Sequence, residues 1–222
     1  MGKVIVFTNL TLDGVMQAPG RPDEDRRGGF EHGGWAVPYA AMAEAGESMS
    51  YTGALLLGRR TYEDFYAFWP NQTNNPYTEM LNNTQKYAAS TTLKEPLSWS
   101  NSTLLKVDAA EAVARLKGEP GKDLVVMGSG ELVQSLMRHN LVDEYVLLIH
   151  PLLLGSGRRL FADSGAFAAL RLVDTKTTTT GVVIATYPPA EPTARKTTEV
   201  ATPWELHSMW LNCQVTGSFS RQ

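Results

Sequence analysis

The sequence predicts a single α/β domain with a largely parallel sheet and an antiparallel edge. Three observations predict it. Short apolar runs alternate with amphipathic stretches of helical period from Val4 to His150. The last two strand-like runs, Ala169 to Lys176 and Val182 to Tyr187, face each other across a polar turn, Thr177 to Gly181. The 222 residues are 43% hydrophobic, enough for one buried core of ordinary domain size.

Val4 to Asn9 reads as a buried strand. Gly14 to Trp35 is rich in Gly, Pro and charge and has no period, so a long loop, functional or disordered, is expected there. Pro38 to Glu47 is Ala-rich and predicts a short helix. Ala54 to Leu57 is a second strand, closed by Gly58. Thr61 is expected to open a helix, with Asp64 completing an approximate capping box. Tyr62, Phe65, Tyr66 and Trp69 form its apolar face. Trp69 to Asn75 reads as loop, and Tyr87 to Ala89 as a short strand running into Ser90-Thr91-Thr92.

Thr103 to Val107 is a further strand. Asp108 caps the next helix, with Glu111 in its first turn and Ala109, Ala112, Val113 and Leu116 turned inward. Leu124 to Met127 is a strand, and Glu131 to His139 a helix that buries Leu132, Val133, Leu136 and Met137. Tyr145 to His150 is a strongly apolar strand. After Tyr187 the composition turns to Pro, Thr and mixed polar residues. Residues 189 to 222 are expected to form a peripheral tail, which Trp204, Trp210 and Phe219 could dock.

The net charge of −3 and a pI near 5.8 exclude a general polyanion binder, and no Lys/Arg cluster suggests a nucleic-acid face. No run reaches bilayer-spanning length, so no membrane partner is expected. The start, MGKVIVFTNL, enters a strand directly, and the one cysteine, Cys213, has no partner for an internal disulfide. Both fit a cytoplasmic protein. No His, Cys, Asp and Glu spacing suits a metal.

Three strand ends carry small or polar residues: Gly58-Arg59-Arg60-Thr61, Ser90-Thr91-Thr92 and Gly128-Ser129-Gly130. In an open α/β sheet, ligands bind outside the carboxyl ends of the strands. Helix N-termini there offer free N–H groups and positive partial charge, and glycine lets a phosphate come close. The Gly-Ser-Gly stretch therefore reads either as a tight turn or as a pyrophosphate cradle. Arg59, Arg60, Ser90 and Thr91 suit a second phosphate.

Several stretches together resemble the dihydrofolate reductase-like superfamily. The branch is the one similar to the reductase domain of the bifunctional riboflavin-biosynthesis deaminase-reductase. They are Thr11 to Met16, Leu55 to Tyr62, Lys86 to Leu93, and Val126 to Phe161 with its "LVDEYVLLIHPLLLGSGRRLF". The resemblance implies a three-layer α/β/α fold, NADPH as hydride donor, a small-molecule substrate and a homodimer. It implies that Gly58, Arg59, Arg60 and Thr61 meet cofactor phosphates. Ser90 and Thr91 would lie beside the adenosine 2′-phosphate. Gly128, Ser129, Gly130, Glu131 and Leu132 would form the pyrophosphate turn. Thr11, Asp13 and Gly14 would lie beside the nicotinamide. It also likens Gly14 to Trp35 to the mobile loop that closes over the nicotinamide in folate reductases. Ala40 stands where a folate reductase presents an acid, and Met127 where the riboflavin branch often has Glu.

On the substrate side, Asp13, Trp35, Ala40 and Phe65 are the candidates. Asp13 is either the polar catalytic group or a plain turn aspartate in Asp-Gly. Phe65 suits core packing as well as a pocket. His150, before Pro151 at a strand end, reads as structural. The expected function is NADPH-dependent hydride transfer to a small heterocyclic or carbonyl compound, the proton coming from water or Asp13. The alternatives are a non-catalytic nucleotide-binding protein on the same fold and a true dihydrofolate reductase.

Overall fold

A computed structural model describes residues 2–39, 53–106, 108–119, 121, 123–161 and 167–190. The expected helix from Pro38 therefore lies almost wholly outside the described residues, as do Ala40 and the tail from 191 onward. Eight strands form one sheet: β1 (Val4–Thr11), β2 (Ala54–Gly58), β3 (Lys86–Ala89), β4 (Ser102–Leu105), β5 (Leu124–Met127), β6 (Glu144–His150), β7 (Asp174–Thr177) and β8 (Val183–Tyr187). Their order is β4-β3-β2-β5-β1-β6-β8-β7. The first six run parallel, while β8 pairs antiparallel with both β6 and β7. The antiparallel edge is as expected, but β7 starts at Asp174, and the residues before it are joined to the opposite strand by the bridge Leu170 to Pro189 and by bonds from Arg171 N to Pro188 O and Val173 N to Thr186 O.

Side chains alternate across a strand, and both faces of this sheet are covered. Val4, Val6, Leu56, Leu124 and Val126 point to one core, with α3 (Ala109–Gly118) and α4 (Gly130–Arg138) packed over them through Ala112, Val113, Leu132, Val133 and Leu136. Ile5, Phe7, Leu55, Leu57 and Val125 point to the other, covered by α1 (Arg59–Phe68) and α2 (Pro76–Asn83) through Tyr62 and Leu81. The result is the three-layer α/β/α arrangement.

Two elements differ from the expectation. α1 starts at Arg59, with Gly58 as its N-cap and no side-chain cap bond. Thr61 and Asp64 make no capping box because both are engaged elsewhere: Thr61 accepts from Ser129, and Asp64 pairs with Arg21. The second difference is α2, which the sequence reading left out. Asn75 caps it by accepting from Tyr77 N at 3.0 Å, and Pro76 fits its first turn, where no N–H is needed. At its far end the buried Lys86 donates from Nζ to Leu81 O at 2.6 Å and Thr84 O at 2.7 Å, satisfying carbonyls the helix leaves open.

The segment 14–35 is a packed unit and not an open loop. Val15, Ala18, Phe30 and Trp35 form a small core of their own. Trp35 Nε1 donates to Gln17 O at 2.7 Å, and Gly34 N to Ala18 O at 2.8 Å. Arg21 ties the unit to α1 through Asp64, with its guanidinium 4.5 Å from the centre of the Phe68 ring.

Candidate functional site

The carboxyl ends of β3, β2, β5, β1 and β6 line one edge of the sheet in that order. The register sets Gly58 beside Ala89, Leu56 beside Val126, Phe7 beside Met127 and Thr11 beside His150. Ser90, Gly58-Arg59, Gly128-Ser129-Gly130 and Thr11-Asp13-Gly14 thus follow four neighbouring strands. α1 leaves β2 onto one face of the sheet, and α4 leaves β5 onto the other. Adjacent strands whose connections part in this way open a crevice between their ends.

Ser129 crosses that crevice at its base. Its Oγ accepts from Gly58 N at 2.8 Å and donates to Thr61 Oγ1 at 2.8 Å. Gly58 must be small for this, since a Cβ there would stand 3.1 Å from Ser129 Oγ. Reaching across requires Ser129 to take a left-handed backbone, φ +60°, which costs a non-glycine residue about 1–2 kcal/mol. The hydroxyl therefore does not cap α4, and the N–H groups of Gly130, Glu131 and Leu132 point out of the helix without intrahelical acceptors. Leu132 can offer only that N–H, because its side chain lies in the core. The Met16 thioether leans over this helix start: a Cβ on Gly130 would fall 2.8 Å from Met16 Sδ.

Charge around the crevice is already paired. Arg59 Nη1 lies 2.9 Å from Glu63, one turn along α1. Arg158 and Arg60 converge on one oxygen of Glu131, at 3.1 and 3.9 Å. Ser90 Oγ accepts from Thr92 N and Leu93 N at 3.1 and 3.0 Å, which shapes its turn, while Thr91 is exposed.

Asp13 is bound on every side. Thr11 Oγ1 donates to it at 2.5 Å, Gly155 N at 2.8 Å and Leu154 N at 3.3 Å, and the Arg159 guanidinium lies 3.6 Å away. The Thr11 hydroxyl bond, more than any other contact, pulls its carboxyl down to about 2. At neutral pH it is a carboxylate with no proton to give, and it fastens the turn after β1 to the 154–159 loop. Gly14, at φ +79°, supplies that turn.

The substrate-side candidates separate. Trp35 is packed inside the 14–35 unit, with its indole N–H committed to Gln17. Phe65 packs against the α1–α2 core, edge-on to Trp69. His150 is fully buried between Trp35 and Tyr39, edge-on to both at 5.1 Å. Burial holds its imidazole neutral by lowering its pKa to about 4. Its Nε2 meets Asn9 Oδ1 at 3.0 Å, and Nδ1 has no partner among the described residues. Sequence reasoning missed Asn9, Met16, Arg158 and Arg159 as members of this edge. Only the paired arginines after Gly155-Ser156-Gly157 left a visible signal.

A mostly parallel sheet with helices on both faces and a crevice at its carboxyl edge defines an open α/β class of fold, and solved structures that match it are dihydrofolate reductase-like. A putative riboflavin biosynthesis protein from Shewanella sp. PV-4 superposes with a TM-score of 0.59 at 22% identity, over 86% of this chain and 100% of that one. Dihydrofolate reductase from Enterococcus faecalis, complexed with NADP(H), gives 0.58 at 13% identity, over 86% and 98%. The RibD C-terminal domain model matches residues 2–184, and the chain belongs to that family. Uncharacterized protein YyaP of Bacillus subtilis (strain 168) is 28% identical over 190 residues, covering 83% of this chain and 94% of that protein. Among the described residues no helix is long and apolar enough to cross a membrane.

Proposed function

We propose that the protein is an NADPH-dependent reductase that delivers a hydride to a small heterocyclic or carbonyl compound. The crevice between Gly58 and Gly130, where α1 and α4 begin side by side and part to opposite faces, carries this reading. The dinucleotide supplies the hydride. The N–H groups of Gly130 to Leu132 receive its pyrophosphate, and Arg59 and Arg60 its remaining phosphate, next to Ser90. Met16 must swing aside for this, which an unbranched thioether does readily. Thr11 and the Asp13-Gly14 turn flank the nicotinamide as a rigid wall. With Asp13 ionised, the proton comes from water.

The test has two steps. NADPH should raise the melting point of the whole protein, since a ligand bound only to the native state stabilises it. Oxidation of NADPH is then followed with pyrimidine, pterin, quinone and carbonyl compounds. Binding without turnover across all four classes would leave a nucleotide-binding protein, and no stabilisation by NADPH would overturn the reading altogether.

A further inference from the structure

Asn9 is a polar residue on an apolar stretch of wall. It lies two residues before Thr11 on β1, so about 7 Å from it. Ile5 and Phe7 precede it on the same face of the sheet, and Met127 and Tyr39 pack on that face too. β6 runs along one side of Asn9, with Leu148 opposite it. On the other side β5 has ended at Met127, the partner of Phe7. Asn9 therefore stands beside the Gly128-Ser129-Gly130 turn with no strand next to it there.

His150 decides which way the Asn9 amide points. Its Nε2–H donates to Asn9 Oδ1 at 3.0 Å. An amide carries its oxygen and its nitrogen on separate arms, so holding Oδ1 on the β6 side turns Nδ2 toward the side where β5 has ended. Nδ2 has no acceptor among the described residues. It is not closed off from solvent, since Asn9 is only half-buried and its nitrogen is not one of the enclosed unpaired atoms. The imidazole itself is costly as a filler. Its Nδ1 is enclosed with no partner among the described residues, a cost that an aliphatic side chain would not carry. What the ring contributes is the Nε2 donor, and with it a fixed amide.

From this we infer that Asn9 orients the substrate by donating from Nδ2 to a carbonyl oxygen, that His150 is the positioning residue behind it, and that the compound held there is uncharged. Phe7, Met127 and Tyr39 select against charge. A carboxylate or phosphate buried beside them, with one neutral donor, would be left unpaired. The inference rests on the hydride-transfer reading only in calling this compound a substrate.

The experiment titrates the whole protein, with and without NADPH, using three probes of similar shape: acetophenone, benzoate and ethylbenzene. 1H–15N NMR follows the side-chain NH2 pair of Asn9, assigned by its loss in Asn9→Leu. The other variants are His150→Leu and His150→Gln, the second keeping a donor near the Nε2 position; circular dichroism and melting establish that all three remain folded. Acetophenone should bind and shift the Asn9 pair, and benzoate should not bind. Asn9→Leu and His150→Leu should each weaken acetophenone about three- to tenfold and leave ethylbenzene unchanged, and His150→Gln should restore most of the loss. Rescue by glutamine separates positioning from packing, because leucine fills the space as well. No acetophenone binding, equal binding of benzoate, unchanged affinity in Asn9→Leu, or no rescue by glutamine overturns the inference. Failure of NADPH to raise the melting point overturns the hydride-transfer reading instead, and the titrations without NADPH still decide the role of Asn9.

Discussion

Asn9 Oδ1 lies 3.0 Å from Nε2 of His150, which fixes the proton of a neutral, buried imidazole on Nε2. The folded pKa is about 4 against 6.5 for a free histidine. Between those values the unfolded chain binds more protons than the folded one, so stability is full above pH 6.5 and falls as the pH drops toward 4. The span amounts to roughly 3 kcal/mol. Urea unfolding across that range should show this slope in the wild type and lose most of it in His150→Leu. A slope that survives the substitution would mean other groups carry it.

Asp13 behaves in the opposite sense. Its folded pKa lies below the 3.8 of a free aspartate, so its contribution is present above that value and lost as the pH falls toward about 2. Asp13→Asn keeps the shape but removes the charge that Thr11, Gly155 and Arg159 address. A loss of ~1–3 kcal/mol at neutral pH is expected, shrinking below pH 3.8. If turnover is found, its pH profile should show no limb due to Asp13. A profile whose acid limb disappears in Asp13→Asn would restore it as a proton donor.

The clasp from Ser129 to Gly58 and Thr61 gives a paired prediction. Ser129→Ala loses both hydrogen bonds and keeps the unfavourable backbone angle. Ser129→Gly loses the same bonds but relieves ~1 kcal/mol or more of that strain. Both should bind NADPH more weakly than the wild type, and the glycine variant should melt higher than the alanine variant. Equal melting points would show that the left-handed angle is not what sets the cost.

The arginines separate the two nicotinamide cofactors. Losing one charge-assisted bond costs ~1.5–3 kcal/mol, so Arg59→Ala or Arg60→Ala should weaken NADPH by roughly 10- to 100-fold and NADH much less. Glu131 is the converse case. Its carboxylate occupies the arginines that a phosphate would use, yet its side chain is 78% exposed and screened. Glu131→Gln should tighten NADPH by only ~0.5–1 kcal/mol. Fluorescence titration measures all three. Equal losses for NADPH and NADH would remove the 2′-phosphate from this edge.

β1, β2, β5 and β6 were legible because they are apolar runs, and β2, β3 and β5 run into the small residues Gly58, Ser90 and Gly128, which lie at the strand ends where the sequence places them. α2 was not legible because among its described side chains only Leu81 is buried, so there is no apolar period to see. Its one signal was Asn75-Pro76, a cap followed by a helix-starting proline. The 14–35 segment failed for a different reason. Val15, Ala18, Phe30 and Trp35 pack on an irregular backbone, and no sequence period encodes that. Met16 and Arg158 reach the site only because this segment folds back on the 155–160 loop, through bonds such as Met16 N to Arg158 O at 2.9 Å.

The place of β1 between β5 and β6 has a consequence for how the chain is made. Val4 N donates to Asp143, 139 residues further on. A ribosome adding about 5–20 residues per second needs on the order of ten seconds to span that interval. For most of that time the first strand, Val4 to Thr11, has neither of its neighbours, β5 and β6, to pair with. Its apolar side chains and unpaired edges are then the most aggregation-prone part of the nascent protein, and pairings this remote in sequence form slowly even once both halves exist. Folding yield should therefore respond to substitutions in β1 and to chaperone supply far more than the melting point of the finished protein does.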